Sequence, residues 1–444
     1  MTKKTRLENS TAILYPETRI QDQLVLAPVF IAAAKIDFKI LCNYRVNYNQ
    51  EMKLKVLHLL SNWKWTEISE PAVDLALAQQ KLGAEVEFVC GRGPADRFQR
   101  RVDYNARRKH LDPIHVLEMP KHFRILAAGR DYAGLRAMLK RFAPDVIHCH
   151  KGNAHLMGFL SRGISKFPII VTSCYESDGP SQGFRSKLLY KLGTEGMVVI
   201  NERSRQAALD RDGFAGGSVQ VIEPGIDLER FSPRRKISED GHGFGMSPGS
   251  FVIGVVSRIR DSRRLDISLQ ALAALAQTYP QLQLLLVGRG RDGAVERVVL
   301  HPARKMGIED RIVLAGYCES DRLVAAYRAM DVLVFARAGS DKSCRTVREA
   351  MAAGLPVIAP AAGLLPELIE DHVTGRLMDS AGQNLAHILE ELMQDRVKLS
   401  AMAHKALETS RSRFSTLLQA ERTLDFYQKL LEGKKLSHIR GCNG

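Results

Sequence analysis

The residues best suited to chemistry are concentrated in one stretch of the sequence, from Asp331 to Gly375. Two acids in this stretch, Asp341 and Glu349, lie on either side of a predicted helix start. An apolar run of strand type, 332–335, precedes the loop that contains Asp341, and Glu349 falls about two turns into the helix. Because a helix N-terminus carries unpaired amides and a positive dipole, both acids can face a phosphate-bearing ligand that lies there.

The end of this helix is also marked in the sequence. Gly354 tolerates the left-handed conformation that follows a helix, and Pro356 cannot continue one, so the helix is predicted to stop at Gly354. A second strand, 357–359, and a glycine-containing loop that leads to Glu367 follow. The stretch is therefore predicted to be a strand, loop, helix and strand unit.

The size and composition of the chain limit what it can be. A chain of 444 residues exceeds the roughly 250 to 300 residues at which single cores stop growing, so two domains are expected. A hydrophobic content of 45% with 25% charged residues excludes a fibrous or disordered protein. The longest apolar run, 24–34, is too short to span a membrane. The seven cysteines are scattered and no secretory signal is present, so we expect reduced thiols in the cytoplasm.

The net charge of +15 points to anionic partners. Basic residues are dense between Arg92 and Arg141, particularly in RFQRRVDYNARRKH at 97–110. Such a segment fits anionic lipid head groups, nucleic acid or a charged glycan, and it also fits a solvated surface that serves only solubility. Nucleic acid is not expected, because no recognition module and no interleaved aromatic residues accompany the charge.

The pattern along the chain predicts two α/β domains. Residues 1–51 form an irregular N-terminal extension, and we hypothesise that the native protein starts at Met52. Strands and helices alternate in 52–232, and again in 251–410, with a Gly, Ser and Pro-rich linker at 233–250. Residues 411–444 have helical spacing and are predicted to pack back towards the first domain. The predicted fold is two Rossmann-like, doubly wound domains that face each other across a cleft.

Three further motifs occur in a fixed order with the Asp-x7-Glu pair. They are EPGIDLERFSP at 223–233, SRIRDSRRLD at 257–266 and AAGLLPELIEDHVTGRL at 361–377. In this order they resemble the motifs of the large retaining glycosyltransferases of GT-B fold, the group 1 sugar transferases that include glycogen-synthase-like and lipopolysaccharide-building enzymes. The resemblance covers roughly residues 53–379.

The resemblance implies a nucleotide-sugar site in the second domain, UDP- or GDP-linked. It places Arg258 and Arg263 on the diphosphate, Glu349 on the ribose and Asp341 on the hydroxyls of the donor sugar. Further residues that it places at the nucleotide-sugar are Ser343, Cys344, Arg345 and Gly363. Fixed cations suit this chemistry, because the leaving diphosphate gains charge as the glycosyl bond breaks. The resemblance implies retention of anomeric configuration without a metal or a resident cofactor.

In the first domain, the strand DVIHCH (145–150) ends with a candidate catalytic histidine, His150. His148 and His150 share one face of the strand and Cys149 takes the other, so a His-Cys-His metal site is disfavoured. By resemblance His150 meets the acceptor or the donor sugar. The alternative is an ordinary hydrogen bond at a strand end. The residues expected to be catalytic are His150, Arg258, Arg263 and Asp341.

Several positions differ from the family pattern. The first acid is usually a glutamate, and here Asp341 is followed by a loop with fewer glycines. The glycine pair expected after the first strand is replaced within NWKWTEISEP. Arg264 and Leu364 stand at usual glycine positions, and Cys174 at a usual histidine position. These differences leave the expected diphosphate-binding arginines and the ribose acid in place.

The expected function is transfer of a sugar to a lipid-linked glycan, a lipopolysaccharide core or a polysaccharide. The expected location is the cytoplasm or the inner face of the cell membrane, with peripheral contact to anionic lipid. One alternative is a catalytically weak GT-B-like protein that binds glycan or lipid, or serves as a partner subunit. A further alternative is a sugar-nucleotide epimerase of similar architecture, which would convert a nucleotide-sugar without an acceptor.

Overall fold

The computed structural model describes residues 53–122, 125–165, 167–212, 214–233, 242–291, 293–337 and 344–442. The predicted extension and the hypothetical start at Met52 lie outside these residues, as do Asp341, Ser343 and part of the predicted linker, 234–241. From Leu54 onward the chain forms one compact unit.

The first domain is built on a parallel sheet of seven described strands. They run in the spatial order β3-β2-β1-β4-β5-β6-β7. The strands are β1 (Lys55–Leu60), β2 (Glu85–Gly91), β3 (Ile114–Leu117), β4 (Val146–His150), β5 (Ile169–Cys174), β6 (Gly196–Val199) and β7 (Val219–Val221). The helices between and after them are α1 (Ser69–Lys81), α2 (Val102–Arg108), α3 (Ile125–Phe142), α4 (Gly152–Arg162), α5 (Phe184–Gly193), α6 (Glu202–Asp212) and α7 (Leu228–Phe231).

The second domain repeats this architecture with six described strands in the order β10-β9-β8-β11-β12-β13. The strands are β8 (Phe251–Val256), β9 (Leu282–Val287), β10 (Ile312–Gly316), β11 (Val332–Val334), β12 (Val357–Pro360) and β13 (Gly375–Met378). Its helices are α8 (Leu265–Leu275), α9 (His301–Met306), α10 (Ser320–Arg328), α11 (Arg345–Ala352), α12 (Leu365–Leu368), α13 (Leu385–Gln394) and α14 (Arg396–Arg413). The final helix is α15 (Thr416–Cys442).

Both sheets confirm the predicted fold class of two Rossmann-like domains. The strands are apolar and almost fully buried, because helices cover both faces of each parallel sheet. In each sheet the strand order reverses beside the first strand of the domain, between β1 and β4 and between β8 and β11. Ligands of open α/β sheets bind at the carboxyl ends of strands near such a reversal.

The C-terminal helix α15 lies against the first domain. Its residues Leu424, Phe426 and Tyr427 belong to the same buried cluster as Val73 of α1. The chain reaches this position by passing the EPGID segment, where a side chain at Gly225 would come within 2.5 Å of the Thr416 Cα atom. Glycine at this position therefore permits the close approach of the two backbones.

Two local predictions need correction. Ser69, two residues before Pro71, has the residue type and position predicted for the N-cap of α1, but the residue before the helix is Ile68 and Ser69 is already helical. The Ser69 hydroxyl instead accepts a hydrogen bond from the Thr66 amide at 2.6 Å, because it turns back to the preceding loop. Glu349 lies in the second turn of α11, nearer the N-terminus than predicted, since the helix begins at Arg345.

The predicted end of α11 is confirmed. Gly354 has a φ of +74°, and the Leu355 amide donates to the Ala350 carbonyl. This is the left-handed ending for which glycine is favoured. The short strand β3 was not predicted, because it lies inside the basic segment and carries a weak apolar pattern.

Arg264, which stands at a usual glycine position, has φ 55° and ψ 41° just before α8. The left-handed region costs an L residue roughly 1 kcal/mol. We therefore expect Arg264→Gly to be neutral or to stabilise the protein by up to about 1 kcal/mol in urea unfolding. The comparison variant Gln270→Gly, in the exposed interior of α8, should destabilise it by about 1 kcal/mol. Equal losses in both variants would contradict the role assigned to the backbone at Arg264.

No helix in the described ranges combines the length and the apolar character that crossing a bilayer requires.

Candidate functional site

The candidate donor site lies at the carboxyl edge of the second sheet. Arg258 follows β8 and is exposed, and Arg263 lies in the next turn, half-buried. The guanidinium of Arg337, which follows β11, donates to the Ser262 carbonyl at 2.6 Å and connects the two loops. Gly363 follows β12 with a φ of +62°. These residues follow the three neighbouring strands β8, β11 and β12, so they lie along one edge of the sheet.

The start of α11 contributes the remaining described residues of the predicted site. Cys344 is buried and has a left-handed φ of 48°, and Arg345 is the first helical residue. Glu349 accepts from the Tyr327 hydroxyl at 2.9 Å and from Arg345 Nε at 2.8 Å. Both carboxylate oxygens of Glu349 are therefore engaged by protein groups in this conformation.

Arg345 also connects the two domains. Its Nη2 atom lies 3.1 Å from a Glu70 oxygen and 3.8 Å from an Asp74 oxygen, both on α1 of the first domain. Lys109 completes the cluster, with its Nζ 2.6 Å from Asp74 and 3.2 Å from Glu70. Arg230 approaches Glu70 at 3.5 Å. We call Glu70, Asp74, Lys109, Arg230, Arg345 and Glu349 the interdomain ion cluster.

Burial and charge act against each other in the interdomain ion cluster. Burial alone would raise the pKa of Glu70, but Arg345, Lys109 and Arg230 outweigh it and lower that pKa to about 2. Burial raises the pKa of Glu349 above its usual value, and the charge of Arg345 opposes this only in part. Three acids and three bases share the cluster, so removal of one member leaves a buried charge without compensation.

A second ionic contact ties α11 to the end of the first domain. Arg413 donates to Glu223 of the EPGID segment at 2.9 Å, and Arg348 of α11 lies 3.9 Å from the same carboxylate. The guanidinium groups of Arg348 and Arg413 both lie over the Phe414 ring. The helix that begins the candidate donor site is therefore held by the first domain at two places.

His150 lies at the carboxyl end of β4, as predicted, and it is fully buried. Its Nε2 atom is 2.9 Å from Nδ1 of His58, and its Nδ1 atom is 3.0 Å from the Tyr175 hydroxyl. His58 stands directly beside His148 in the β1 and β4 register. The three imidazoles are stacked or tilted against one another.

The hydrogen bonds of these histidines form a nearly closed ring, from Tyr175 round to Ser173. His58 Nε2 donates to the Gln79 amide oxygen at 2.8 Å, so His58 Nδ1 is free to accept a hydrogen bond from His150 Nε2. The other ring nitrogen of His150, Nδ1, then accepts from the Tyr175 hydroxyl. On the other side, Gln79 donates to the Tyr427 hydroxyl at 3.4 Å, and Tyr427 bonds His148 Nδ1. His148 Nε2 reaches the Ser173 hydroxyl at 2.7 Å. We call this set the histidine ring.

Each imidazole in the histidine ring can satisfy both nitrogens with a single proton, so the neutral form fits. Burial lowers the pKa of His58 to about 4, against the opposing hydrogen bond to Gln79. Burial also lowers the pKa values of His148 and His150 well below the ordinary value, and neighbouring imidazoles add to the effect. All three are therefore neutral at pH 7.

The ligand atoms of His58, His148 and His150 lie within 4.8 Å of one another, which is compatible with a metal site on distance alone. Every ring nitrogen already has a hydrogen-bond partner, however, and a bound ion would have to replace several of these bonds. The hydrogen bonds account for the burial of the three histidines without an ion.

Six of the twelve described lysines and arginines between Arg92 and Arg141 are paired with acids. The contacts are Arg92 with Glu118, Arg97 with Asp96, Arg101 with Asp103, Arg107 with Asp112, Lys109 with Glu70 and Asp74, and Arg141 with Glu87. These pairs neutralise much of the local positive charge. The segment is therefore a weaker anion-binding surface than its sequence suggests.

Sequence reasoning did not find Glu70, Asp74 or the partners of His150. Glu70 and Asp74 are one helical turn apart on α1, and nothing in the sequence pairs them with Arg345. His58 was open to prediction, because the doubly wound order places β1 beside β4 and so aligns His58 with the two histidines of DVIHCH. Tyr427 carries no sequence signal, since it lies on a helix far along the chain.

Two protein-family models match the chain. The model of glycosyl transferases group 1 matches residues 242–409, and that of glycosyltransferase family 4 matches residues 72–230. The D-inositol 3-phosphate glycosyltransferase of Segniliparus rotundus is 30% identical over 228 residues, 51% of this chain and 50% of that protein. The protein of the same name from Nocardia farcinica is 27% identical over 309 residues, 65% of this chain and 67% of that protein. The chain thus spans about half the length of the first relative.

Solved structures share the fold. A glycosyltransferase from Rickettsia africae superposes with a TM-score of 0.72 at 17% identity, covering 86% of this chain and 99% of that chain. Anabaena Alr3699/HepE, solved in complex with UDP, gives a TM-score of 0.67 at 21% identity over 85% of this chain and 100% of that chain. These likenesses confirm the two-domain GT-B fold. With the two family models together matching residues 72–230 and 242–409, the chain belongs to the group 1 glycosyltransferases.

Proposed function

We propose that the protein is a retaining glycosyltransferase that moves a sugar from a nucleotide-sugar to a glycan acceptor. One observation carries the proposal beyond family membership. Arg258, Arg263, Glu349 and Gly363 are distant in sequence, yet they follow three adjacent strands and so lie along one edge of the second sheet. The start of α11 adds a helix N-terminus at that edge, where a diphosphate is stabilised by amides and the helix dipole.

The proposed donor is a UDP- or GDP-linked sugar. Anabaena Alr3699/HepE has been solved with UDP and with UDP-glucose, which supports a nucleotide-sugar for this chain through the shared fold. Arg258 and Arg263 would neutralise the charge that develops on the leaving diphosphate. The proposed reaction uses the donor as a substrate and needs neither a metal nor a resident cofactor, because these side chains supply the positive charge. Asp341 and Ser343 are proposed to contact the donor from outside the described residues.

The proposed acceptor is a lipid-linked glycan, a lipopolysaccharide core or a polysaccharide, reached from the cytoplasmic face of the cell membrane. The net charge of +15 supports an anionic acceptor or surface. Relatives named D-inositol 3-phosphate glycosyltransferase, whose named acceptor carries a phosphate, are consistent with an anionic acceptor. His150 is proposed to act at the acceptor or donor sugar.

A catalytically weak binding protein is the second candidate, and two contacts favour it. His150 is fully buried with both nitrogens hydrogen-bonded, and Glu349 is bonded by Tyr327 and Arg345. Activity therefore requires that a substrate displace some of these contacts. Hydrolysis or transfer of a nucleotide-sugar distinguishes the enzyme from the binding protein. Conversion of the donor sugar without acceptor would instead indicate an epimerase.

The test of the donor site is nucleotide binding by calorimetry and thermal shift with UDP-, GDP- and ADP-sugars. We expect one nucleotide to stabilise the protein, by about 2.7 kcal/mol at a hundredfold excess over Kd. Arg263→Ala should weaken that binding at least tenfold, since it removes a charge-assisted contact to phosphate. Arg260→Ala, an exposed arginine of the same turn, is the matched control and should change binding less than threefold. Absence of binding at millimolar nucleotide would refute the proposal.

A further inference from the structure

The outer face of three helices in the first domain is unusually apolar. Helices α3, α4 and α5 follow β3, β4 and β5 and pack side by side on one face of the sheet. Fourteen large apolar side chains are exposed in the described part of the chain, and nine of them belong to this layer and the loop after α4. The nine are Ile125, Leu126, Tyr132, Leu160, Ile164, Phe167, Phe184, Leu188 and Leu192. We call this surface the α3–α5 face.

Helix α5 shows most clearly that the exposure is organised. Phe184, Leu188 and Leu192 are spaced four residues apart, so they form one stripe along the helix, and they are 81%, 47% and 57% exposed. Leu189 and Gly193, on the opposite side, are buried against the domain. The helix is therefore apolar on its outer side as well as its inner side, which an ordinary solvated helix is not.

Basic residues border this stripe. Arg185, Lys187 and Lys191 are all exposed, and the sequence of α5 contains no acid. At 100° per residue, Lys187 and Lys191 fall on one side of the stripe and Arg185 on the other. An apolar stripe between basic margins matches the boundary between acyl chains and anionic head groups, where apolar side chains insert and lysines contact phosphate.

Exposed apolar residues also occur at the two ends of this helical layer. Ile125 and Leu126 begin α3 and are 79% and 87% exposed, whereas Ile164 follows the end of α4 at the opposite edge of the sheet. Because α3, α4 and α5 each follow a strand of the first sheet, their N-termini lie at the carboxyl edge that also holds His150. A membrane against this face would therefore lie beside the edge at which the acceptor is proposed to bind.

Other occupants fit the surface less well. Residues 1–53 contain eight lysines and arginines and five acids, so that segment has the same sign of charge as the face. A second copy of the chain would place the basic margins of two α5 helices near each other if the contact were symmetric. An anionic bilayer satisfies the apolar stripe and the basic margins together.

We propose that the α3–α5 face is a membrane-docking surface for bilayers rich in anionic phospholipid. Phe184, Leu188, Leu192, Ile125 and Leu126 insert at the level of the acyl boundary, and Arg185, Lys187 and Lys191 contact lipid phosphate. The inference deepens the proposed membrane location. The experiment that tests it measures vesicle binding and needs neither donor nor acceptor. Failure to bind vesicles would therefore not contradict the transferase proposal, and absence of transferase activity would not contradict membrane docking.

The test is co-sedimentation of the full chain with vesicles of phosphatidylcholine alone and with one third phosphatidylglycerol. We expect binding at least tenfold tighter to the anionic vesicles and weakened by salt. The double variant Lys187→Glu/Lys191→Glu should weaken binding to anionic vesicles at least tenfold, since each basic residue near such a surface contributes about fivefold. Phe184→Ser/Leu188→Ser should weaken it by a similar factor at low and high salt.

Matched changes in the second domain serve as controls. Lys305→Glu reverses an exposed lysine on α9, and Val397→Ser replaces an exposed valine on α14, and neither should alter vesicle binding more than twofold. Unchanged nucleotide binding and melting temperature in the α5 variants would show that they fold. Equal binding of the α5 variants and the native chain would overturn the inference. A second result would also overturn it: the native chain self-associates in sedimentation, and the α5 variants abolish this self-association but leave vesicle binding unchanged. The α3–α5 face would then be an interface between copies of the chain.

Discussion

Replacing Arg345 with methionine is expected to destabilise the protein by about 3 to 5 kcal/mol in urea unfolding without nucleotide. The side chain is buried and lies within 3.1 Å of Glu70 and 2.8 Å of Glu349, which belong to different domains. Methionine retains much of the volume but leaves two buried carboxylates without their shared cation. Removing one partner of a buried ion pair typically costs about 3 to 5 kcal/mol of stability, because the charge of the other partner stays buried without compensation.

The double variant Arg345→Met/Glu70→Gln separates this effect from a loss of packing. Neutralising Glu70 removes one of the two carboxylate charges that Arg345→Met leaves uncompensated. The double variant should therefore lose at least about 1 kcal/mol less stability than the sum of the two single changes. Arg205→Met, which removes an exposed pair with Glu202 on α6, is the control and should cost about 0.5 kcal/mol or less. Additive single changes would show that Arg345 and Glu70 do not act as a pair.

Acidification from pH 7.5 to pH 5 is expected to remove about 2 kcal/mol of stability through His58, and the lowered pKa values of His148 and His150 add to this loss. In the unfolded chain these histidines titrate near pH 6.5, whereas burial lowers the folded pKa of His58 to about 4 and the other two well below 6.5. The unfolded state therefore binds more protons below pH 6.5, and stability falls as the pH falls. Each histidine contributes about 1.4 kcal/mol per pH unit once the unfolded form is protonated.

A single histidine variant checks the assignment. His58→Asn cannot take up a proton, so the slope of stability against pH between 6.5 and 5 should decrease by about one proton. His404→Asn changes an exposed histidine of α14 and should leave the slope unaltered. The Glu70 carboxylate, with a pKa of about 2, loses its contribution only below pH 4.5 and so lies outside this window. A native chain whose stability is flat from pH 7.5 to pH 5 would contradict the neutral histidine ring.

Much of the fold could be predicted because the determining signals are local. Apolar strand runs such as 56–60 and 283–287 alternate with helical segments, and this alternation requires parallel sheets covered by helices. Gly354 and Pro356 end α11 for reasons contained in a few residues. The short strand β3 was missed because four residues inside a charged segment carry too little periodicity to distinguish them from a loop.

The candidate site was likewise predictable only where its signals are local in the sequence. Arg258, Arg263, Glu349 and Gly363 were predicted from ordered motifs, and the structure brings them to one sheet edge. Their present hydrogen-bond partners were not predicted, since Glu70 and Tyr327 contact α11 only through tertiary packing. The contact of Arg345 with Glu70 of α1 therefore had no visible signal in the sequence.

The sequence by itself determined the two α/β domains, the family motifs and the residues expected to hold a nucleotide-sugar, because periodicity and motif spacing are properties of neighbouring residues. Only the tertiary structure decided that Arg345 joins Glu349 to α1, and that Tyr427 links Gln79 to His148 in the histidine ring. These contacts join residues 275 to 348 positions apart, as in Arg345 with Glu70 and Tyr427 with Gln79. Burial, which sets the charge of each group, exists only after the chain has brought such partners together.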